Sequence, residues 1–72
     1  MLRVECAPSP DTGRPEPASL WFGSRHVAVR SVVDRWYGSG QRWWKVATDE
    51  GAYIVRLDQA SGSWELAAVV GE

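Results

Sequence analysis

Cysteine, histidine and long apolar runs are nearly absent from this chain of 72 residues. Cys6 and His26 are the single residues of their types, so the chain forms no intrachain disulfide and has no Cys/His pair with metal-ligand spacing. No segment approaches the about 18 consecutive apolar residues of a membrane-spanning helix, and neither a signal peptide nor a lipidation motif is recognisable. We therefore expect a cytoplasmic protein with no metal, no cofactor and no membrane partner.

Leucine and isoleucine are also scarce, whereas the chain contains five tryptophans. A single domain spanning 1–72 buries only roughly 60 to 65 % of the surface that its unfolded chain exposes. Each buried indole removes on the order of 150 to 250 Å² from water. The composition therefore predicts a small core in which aromatic side chains replace most of the missing aliphatic ones.

The pattern of apolar residues predicts an all-β fold. No useful window shows helical periodicity, and short runs rich in Val, Trp, Tyr and Ile are bounded by Gly, Pro, Asp and Ser. "LRVEC" alternates like a half-buried strand, and the segment 7–17, which carries all four prolines, reads as a surface connection or a poorly ordered arm. We predict a small antiparallel meander of five or six strands.

Turn signals divide the rest of the chain. Gly23 and Ser24 join "ASLWF" to "RHVAVRSVV" as a two-residue hairpin, and "GSGQ" and "DQASG" mark later turns. The apolar phase of the long run 26–37 slips near Val32 and Val33, which predicts a bulge there.

The segment "TDEG" predicts a hairpin with a three-residue loop at 49–51. In that register Thr48 lies opposite Ala52 and Trp44 opposite Arg56, and the following hairpin places Arg56 between Trp44 and Trp64. Trp43 then points outward, and Trp36 fills the core. The predicted core face carries Trp44, Val46, Ile54, Leu66 and Ala68.

Both faces of the last three predicted strands carry apolar groups, which a flat sheet in water does not tolerate. We therefore expect the sheet to curl into an open barrel or a two-layer sandwich.

The order of these motifs resembles a known bacterial domain. "GRPEPASLWFGSRHVAVRSVVDRWY", "RWWKVATDEGAYIVRL" and "SGSWELAAVV" are similar to a small uncharacterised all-β domain. That domain is found alone and resembles the C-terminal piece of catalytically inactive Y-family polymerase relatives of a mutagenic translesion system. The resemblance covers about residues 13–69 and implies an adaptor module with a link to DNA repair. It implies no catalytic residues. The ending "VVGE" departs from the aromatic-plus-acid ending of that pattern, which bears on any contact through the last strand.

Catalytic readings have little support in the sequence. A nucleophile pair of Cys6 and His26 lacks a third orienting group and an oxyanion hole. Asp34, Asp49 and Glu50 could in principle pair as a general acid and base. Asp49 and Glu50 lie in the predicted "TDEG" turn, however, and their role in that turn explains their presence better. We therefore predict a protein that is not an enzyme.

Charge is distributed unevenly along the chain. The segment from Arg25 to Arg56 carries a net charge of +3 and the remainder −4, within an overall charge of −1. An uneven distribution of this kind permits an anionic partner without requiring one.

Two binding functions follow, beside a third alternative of a purely structural domain whose aromatic side chains all lie in the core. An exposed Trp beside Arg is typical of protein interfaces, and a small sheet can accept a partner's strand, which favours a protein-interaction or adaptor module. Aromatic residues interleaved with basic ones, as in "DRWY" and "RWWK", are also typical of single-stranded nucleic-acid binding, which is the alternative. We predict a monomer or weak dimer whose unidentified protein partner contacts Trp43, Arg42, Arg35 and Lys45.

Overall fold

The computed structural model describes residues 2–70 and consists of six antiparallel strands with no helix in that range. The predicted all-β fold is confirmed. The strands pair in chain order within one curled half-barrel sheet. They are β1 (Leu2–Pro8), β2 (Pro15–Phe22), β3 (Arg25–Gly38), β4 (Gln41–Thr48), β5 (Gly51–Asp58) and β6 (Ser63–Val70).

The curl of the sheet is concentrated in β3. Its residues 25–28 pair with β2, and from Val29 onward it pairs with β4. Register shifts on β3 between Val29 and Ser31 and between Val32 and Asp34 mark bulges, the second at the predicted place. Because a bulge bends its strand and increases its twist, β3 carries the first half of the sheet over the second.

The core lies on the concave side of this curl. Side chains from four different strands meet there, and the fully buried ones are Leu20, Val46 and Val55. Trp44, Val27 and Tyr53 complete the buried cluster, and half-buried residues at the ends of the strands extend it. Burial of these apolar groups is the main favourable term in folding a domain of this size.

The proline-rich segment is a hairpin rather than a long connection. Pro8 pairs with Pro15, and only residues 9–14 lie outside the strands. Backbone hydrogen bonds from Ser9 to the Arg14 carbonyl and from Gly13 to the Ser9 carbonyl, of 2.9 and 2.8 Å, close the turn. Pro17 is buried within β2, so the segment does have the apolar anchor that its sequence did not reveal.

The hairpin at "TDEG" differs from the prediction by one residue. Gly51 pairs with Thr48, so the loop has two residues, and Trp44 lies opposite Val55 instead of Arg56. The Thr48 hydroxyl donates a 2.8 Å hydrogen bond to the Gly51 carbonyl and accepts one from the Glu50 amide. These bonds and the positive φ of Gly51, 116°, hold glycine inside the ladder rather than at the tip.

A shift of one residue changes the faces of the predicted core. Tyr53 and Val55 take the buried side of β5, so Ile54 and its partner Ala68 lie on the convex face. Leu66 does share the concave face with Val55, but it is 39 % exposed. Of the five predicted core residues, only Trp44 and Val46 are buried.

Trp36 was also expected in the core, and this prediction is wrong. It pairs directly with Trp43 on the convex face and is 42 % exposed, whereas Trp44 is 2 % exposed. The bulge after Val32 reverses the alternation on β3 and turns Trp36 outward.

The two tryptophans allow a matched test of this core. Trp44→Ala should lower the free energy of unfolding by about 3 to 5 kcal/mol because it leaves a cavity in the packed cluster. Trp36→Ala should cost much less, since its side chain is already partly in solvent. Urea unfolding followed by far-ultraviolet circular dichroism measures both. Equal losses in the two variants would contradict this assignment of faces.

Candidate functional site

A cavity of about 940 Å³ opens where the half-barrel is not closed. It lies between the start of β1, the β2–β3 turn and the first half of β6, and none of the described residues of β1 pairs with β6. Leu2, Phe22 and Trp64 on its wall also pack against the core, while Leu66 remains partly exposed. The cavity, called the cleft below, is lined by Leu2, Arg3, Phe22, Gly23, Gly62, Ser63, Trp64, Glu65 and Leu66.

The strand β6 borders the cleft and has one edge without a hydrogen-bonded partner strand, although Cα atoms of β1 and β6 come within 8 Å of each other. It pairs with β5 alone among the described strands, and Glu65 is its one charged residue. A bulge at Ala67 interrupts the ladder, whereas residues 63–66 beside the cleft are regular. Edge strands of monomeric proteins usually carry Pro, Lys or several charges that prevent pairing with another chain. Residues 63–66 contain neither Pro nor Lys.

A stack of aromatic rings and a guanidinium extends from the cleft along the concave face. The ring centroids of Trp64 and Trp44 lie 5.2 Å apart. The Cζ atom of Arg42 lies 4.9 Å from the Trp44 ring centroid and 4.8 Å from that of Tyr37. Tyr37, which is 61 % exposed, ends the stack at the surface. The stack therefore links the cleft wall to the Arg42 guanidinium through the buried ring of Trp44.

Arg42 differs from the other concave-face arginine in its partners. No carboxylate among the described residues lies within salt-bridge distance of it, and its one side-chain hydrogen bond is a 3.4 Å contact from Nη2 to the Tyr37 hydroxyl. Its Nε and the Nε1 of Trp44 are buried donors without an acceptor in the described part of the chain. Stacking holds this guanidinium in place, and one of its donors, Nε, has no acceptor among the described residues.

A second, smaller cavity of about 260 Å³ lies where β3 departs from β2. Residues 15–18 of β2 are not paired with β3, and Pro15 and Pro17 present no N–H there. An ion pair spans this gap: Arg35 Nη2 donates a 2.8 Å hydrogen bond to Glu16 Oε1, and Arg35 Nε donates to Oε2. The bidentate pair takes the place of the missing ladder between the two halves of the sheet.

The Glu16 carboxylate is strongly held in its charged form. Its side chain is 7 % exposed, and the hydrogen bond from Arg35 is the largest cause that lowers its pKa, against burial, which raises it. The Ser9 hydroxyl and the charge of Arg42 lower the pKa further. The same pair raises the pKa of Arg35.

The Cys6 thiol is the other group on this side whose pKa is shifted. Burial raises its pKa, and the nearby Arg42 charge only partly opposes that effect.

The four residues predicted to contact a partner do not form one surface. Arg35 and Arg42 lie on the concave side, Arg35 opposite Trp44 and Arg42 stacked on it. Trp43 and Lys45 alternate with them and lie on the convex face. The Trp43 ring packs over Gly38, where a Cβ atom would meet its Cζ3 at 2.8 Å. The predicted grouping therefore needs correction, because neighbours in the sequence of a strand face opposite sides.

Arg56 is likewise not between two indoles. It lies opposite Trp43 on the convex face and forms an ion pair with Glu65. Trp44 and Trp64 contact each other directly, and Arg42 takes the stacked position predicted for Arg56. One signal in the sequence could have identified the stacked position of Arg42. It is the two-residue turn at Ser39 and Gly40, which sets Tyr37 opposite Arg42.

Most of the positive charge in the middle of the chain is neutralised in the fold. Ion pairs join Arg25 to Glu50 and Arg30 to Asp49, at 2.7 and 2.5 Å. Arg35 and Arg56 are paired as described above. The net +3 of this segment therefore does not become a continuous basic surface.

The part of the chain that the structure describes contains no group of three or more His, Cys, Asp or Glu side chains able to hold a metal ion. No helix capable of crossing a membrane occurs in that part either. Comparisons with protein-family models, curated proteins and solved structures find no match. The resemblance to the bacterial domain therefore stays a prediction from the sequence.

The Glu16–Arg35 pair predicts a specific pH dependence of stability. The pKa of Glu16 is lower in the folded chain than the about 4.3 of an unfolded glutamate. The pair therefore stabilises the fold fully above that unfolded value, and this contribution is lost as pH falls through the folded pKa. Urea midpoints measured from pH 7 down to acid should fall more steeply for the natural chain than for Glu16→Gln.

Glu50→Gln is the matched control for this prediction. Glu50 also pairs with an arginine, but both side chains are well exposed, where an ion pair contributes little. This variant should keep the acid sensitivity of the natural chain. Identical pH profiles for the natural chain and Glu16→Gln would show that the buried pair does not stabilise the fold.

Proposed function

We propose that this domain is a non-enzymatic protein-interaction module that binds an extended segment of another protein in the cleft. The observation that carries the proposal is the opening of the half-barrel beside a free strand edge. There the core ends in a partly exposed apolar wall instead of a closed ladder.

The cleft has the two parts that such recognition needs. The edge of β6 offers unpaired backbone groups to which a partner strand can add, and main-chain hydrogen bonds supply much of the affinity in complexes of this type. The wall formed by Leu2, Phe22 and Trp64 offers a place for an apolar side chain of that strand. We infer a partner segment that is extended and has at least one large apolar residue.

Single-stranded nucleic acid is less well supported as the ligand. Stacking platforms for bases usually lie beside a basic groove, whereas four arginines of the described residues are paired with carboxylates. The convex Trp36 and Trp43 have only Lys45 as an unpaired basic neighbour on β4. A role in DNA repair remains a proposal that rests on the resemblance, and it would act through a protein partner.

Two exposed apolar residues provide a matched test of the cleft. Leu66 lines the cleft and Val33 does not, and their exposures are 39 and 55 %, so Lys is tolerable at both positions. Peptides selected from a random display library against the natural chain are then titrated, with Trp64 in the cleft wall as a fluorescent reporter. Leu66→Lys should weaken binding by at least about tenfold, as at an interface hot spot, and Val33→Lys should leave it unchanged.

Three results would overturn the proposal: selection that yields no peptide with saturable binding, equal effects of the two substitutions, or binding sensitive to Val33→Lys alone. The same variants are titrated with oligothymidylate at low and moderate salt. Quenching that weakens steeply with salt and is insensitive to Leu66→Lys would establish nucleic-acid binding instead.

A further inference from the structure

We infer that the guanidinium of Arg42 is a binding site for a carboxylate of the partner segment, so that the domain selects acidic peptides. The inference rests on the proposed function and adds the chemistry of its ligand. It depends on the stack of Tyr37, Arg42, Trp44 and Trp64, which connects the cleft to a cation.

The guanidinium is ordered before any ligand arrives. Rings lie within 5 Å of its Cζ atom, those of Tyr37 at 4.8 Å and Trp44 at 4.9 Å. Stacked arginines lose little further freedom when they form the paired hydrogen bonds that a carboxylate accepts. The outer ring of the stack, Tyr37, is largely exposed and Arg42 is half-buried, so the guanidinium lies at the border between the interior and solvent.

Arg42, unlike Arg35, has no carboxylate in direct contact. Arg35, on the adjacent strand and the same face, already holds Glu16 with two hydrogen bonds. The described residues offer Arg42 no carboxylate within 4.0 Å, and the charge of Glu16 acts on it only from a longer distance. The terminal nitrogens of Arg42 therefore lack the paired hydrogen bonds that a carboxylate accepts.

Two further donors point to the same conclusion. The Nε of Arg42 and the Nε1 of Trp44 are both buried without an acceptor, and Trp44 is 2 % exposed. Unsatisfied buried donors are rare in native proteins, and each one calls for a reason. A carboxylate held by the Arg42 guanidinium would supply an acceptor for this planar group, of which the unsatisfied Nε is one donor.

Arg42 and the cleft wall lie on one line across the strands. Arg42 faces Leu57, and Leu57 faces Trp64. Two contacts, of 4.9 and 5.2 Å, lead from Arg42 through Trp44 to Trp64 in the cleft wall. The expected segment has a large apolar residue for the cleft wall and an Asp, Glu or terminal carboxylate for Arg42.

The test uses the peptides selected against the natural chain, each synthesised with its acidic residue and with the matching amide. The natural chain should bind the acidic form about tenfold more tightly or better, as expected for a charge-assisted hydrogen bond. Arg42→Met keeps the stem of the side chain between the two rings, and this variant should bind both forms equally. Arg42→Lys keeps the charge without the planar fork and should recover only part of the preference.

Lys45→Met is the matched control, because it removes one positive charge from the same strand on the opposite face. It should keep the full preference for the acidic peptide, and urea midpoints confirm that each variant is folded. Selected peptides without acidic residues, or a preference that survives Arg42→Met, would overturn this inference while the proposed function stands. Selection that yields no binding peptide at all would overturn both.

Discussion

The structure depends on the bend of β3, because one continuous strand serves both halves of the sheet. A flat six-stranded sheet of this composition would leave an apolar face in water. By changing its partner from β2 to β4 at Val29, β3 folds the first half over the second and creates an interior for Leu20, Val46 and Val55. The single cysteine forms no disulfide, and the described residues contain no metal site. The stability of the domain therefore depends on the packing between the two halves of the sheet.

The same bend leaves backbone groups unpaired at two openings of the sheet, one between β2 and β3 and one between β1 and β6. The two openings differ in what replaces the missing pairing. Where β3 leaves β2, Glu16 and Arg35 bridge the gap, and prolines remove donors that would otherwise be unsatisfied. Where β6 lies beside β1 without pairing with it, no comparable bridge occurs among the described residues. An ion pair spans the first opening, whereas the second has a partly exposed apolar wall, which is why the proposed function is placed at the second.

The sequence predicts the strands well because its turn residues are specific. The positions of Gly23 and Ser24, "GSGQ" and the bulge near Val32 all follow from local chemistry and are found in the structure. The loop at "TDEG" was predicted one residue too long, since the sequence does not show that the Thr48 hydroxyl binds the Gly51 carbonyl and keeps glycine in the ladder. That one residue exchanged the faces of Ile54 and Val55.

The candidate site was predicted less well than the strands, for a physical reason. Side chains alternate between the two faces of β4, so Arg42 and Trp43 lie on opposite faces. A segment rich in Trp and Arg therefore contributes to two separate surfaces. The cleft is formed by residues about sixty positions apart, Leu2 and Trp64, and it exists only because of the curl. Local patterns carry no information on contacts between residues so far apart in the sequence. The pairing of Tyr37 with Arg42, in contrast, could have been predicted from the two-residue turn that joins their strands.

The contact of Trp43 with Gly38 links two positions on neighbouring strands. A side chain at position 38 would occupy the space of the indole, with the nearest ring carbon only 2.8 Å from the new Cβ. Relatives of this chain that carry a larger residue at position 38 should therefore have a smaller one at position 43. Such covariation would record the packing of the β3–β4 hairpin independently of any selection for binding.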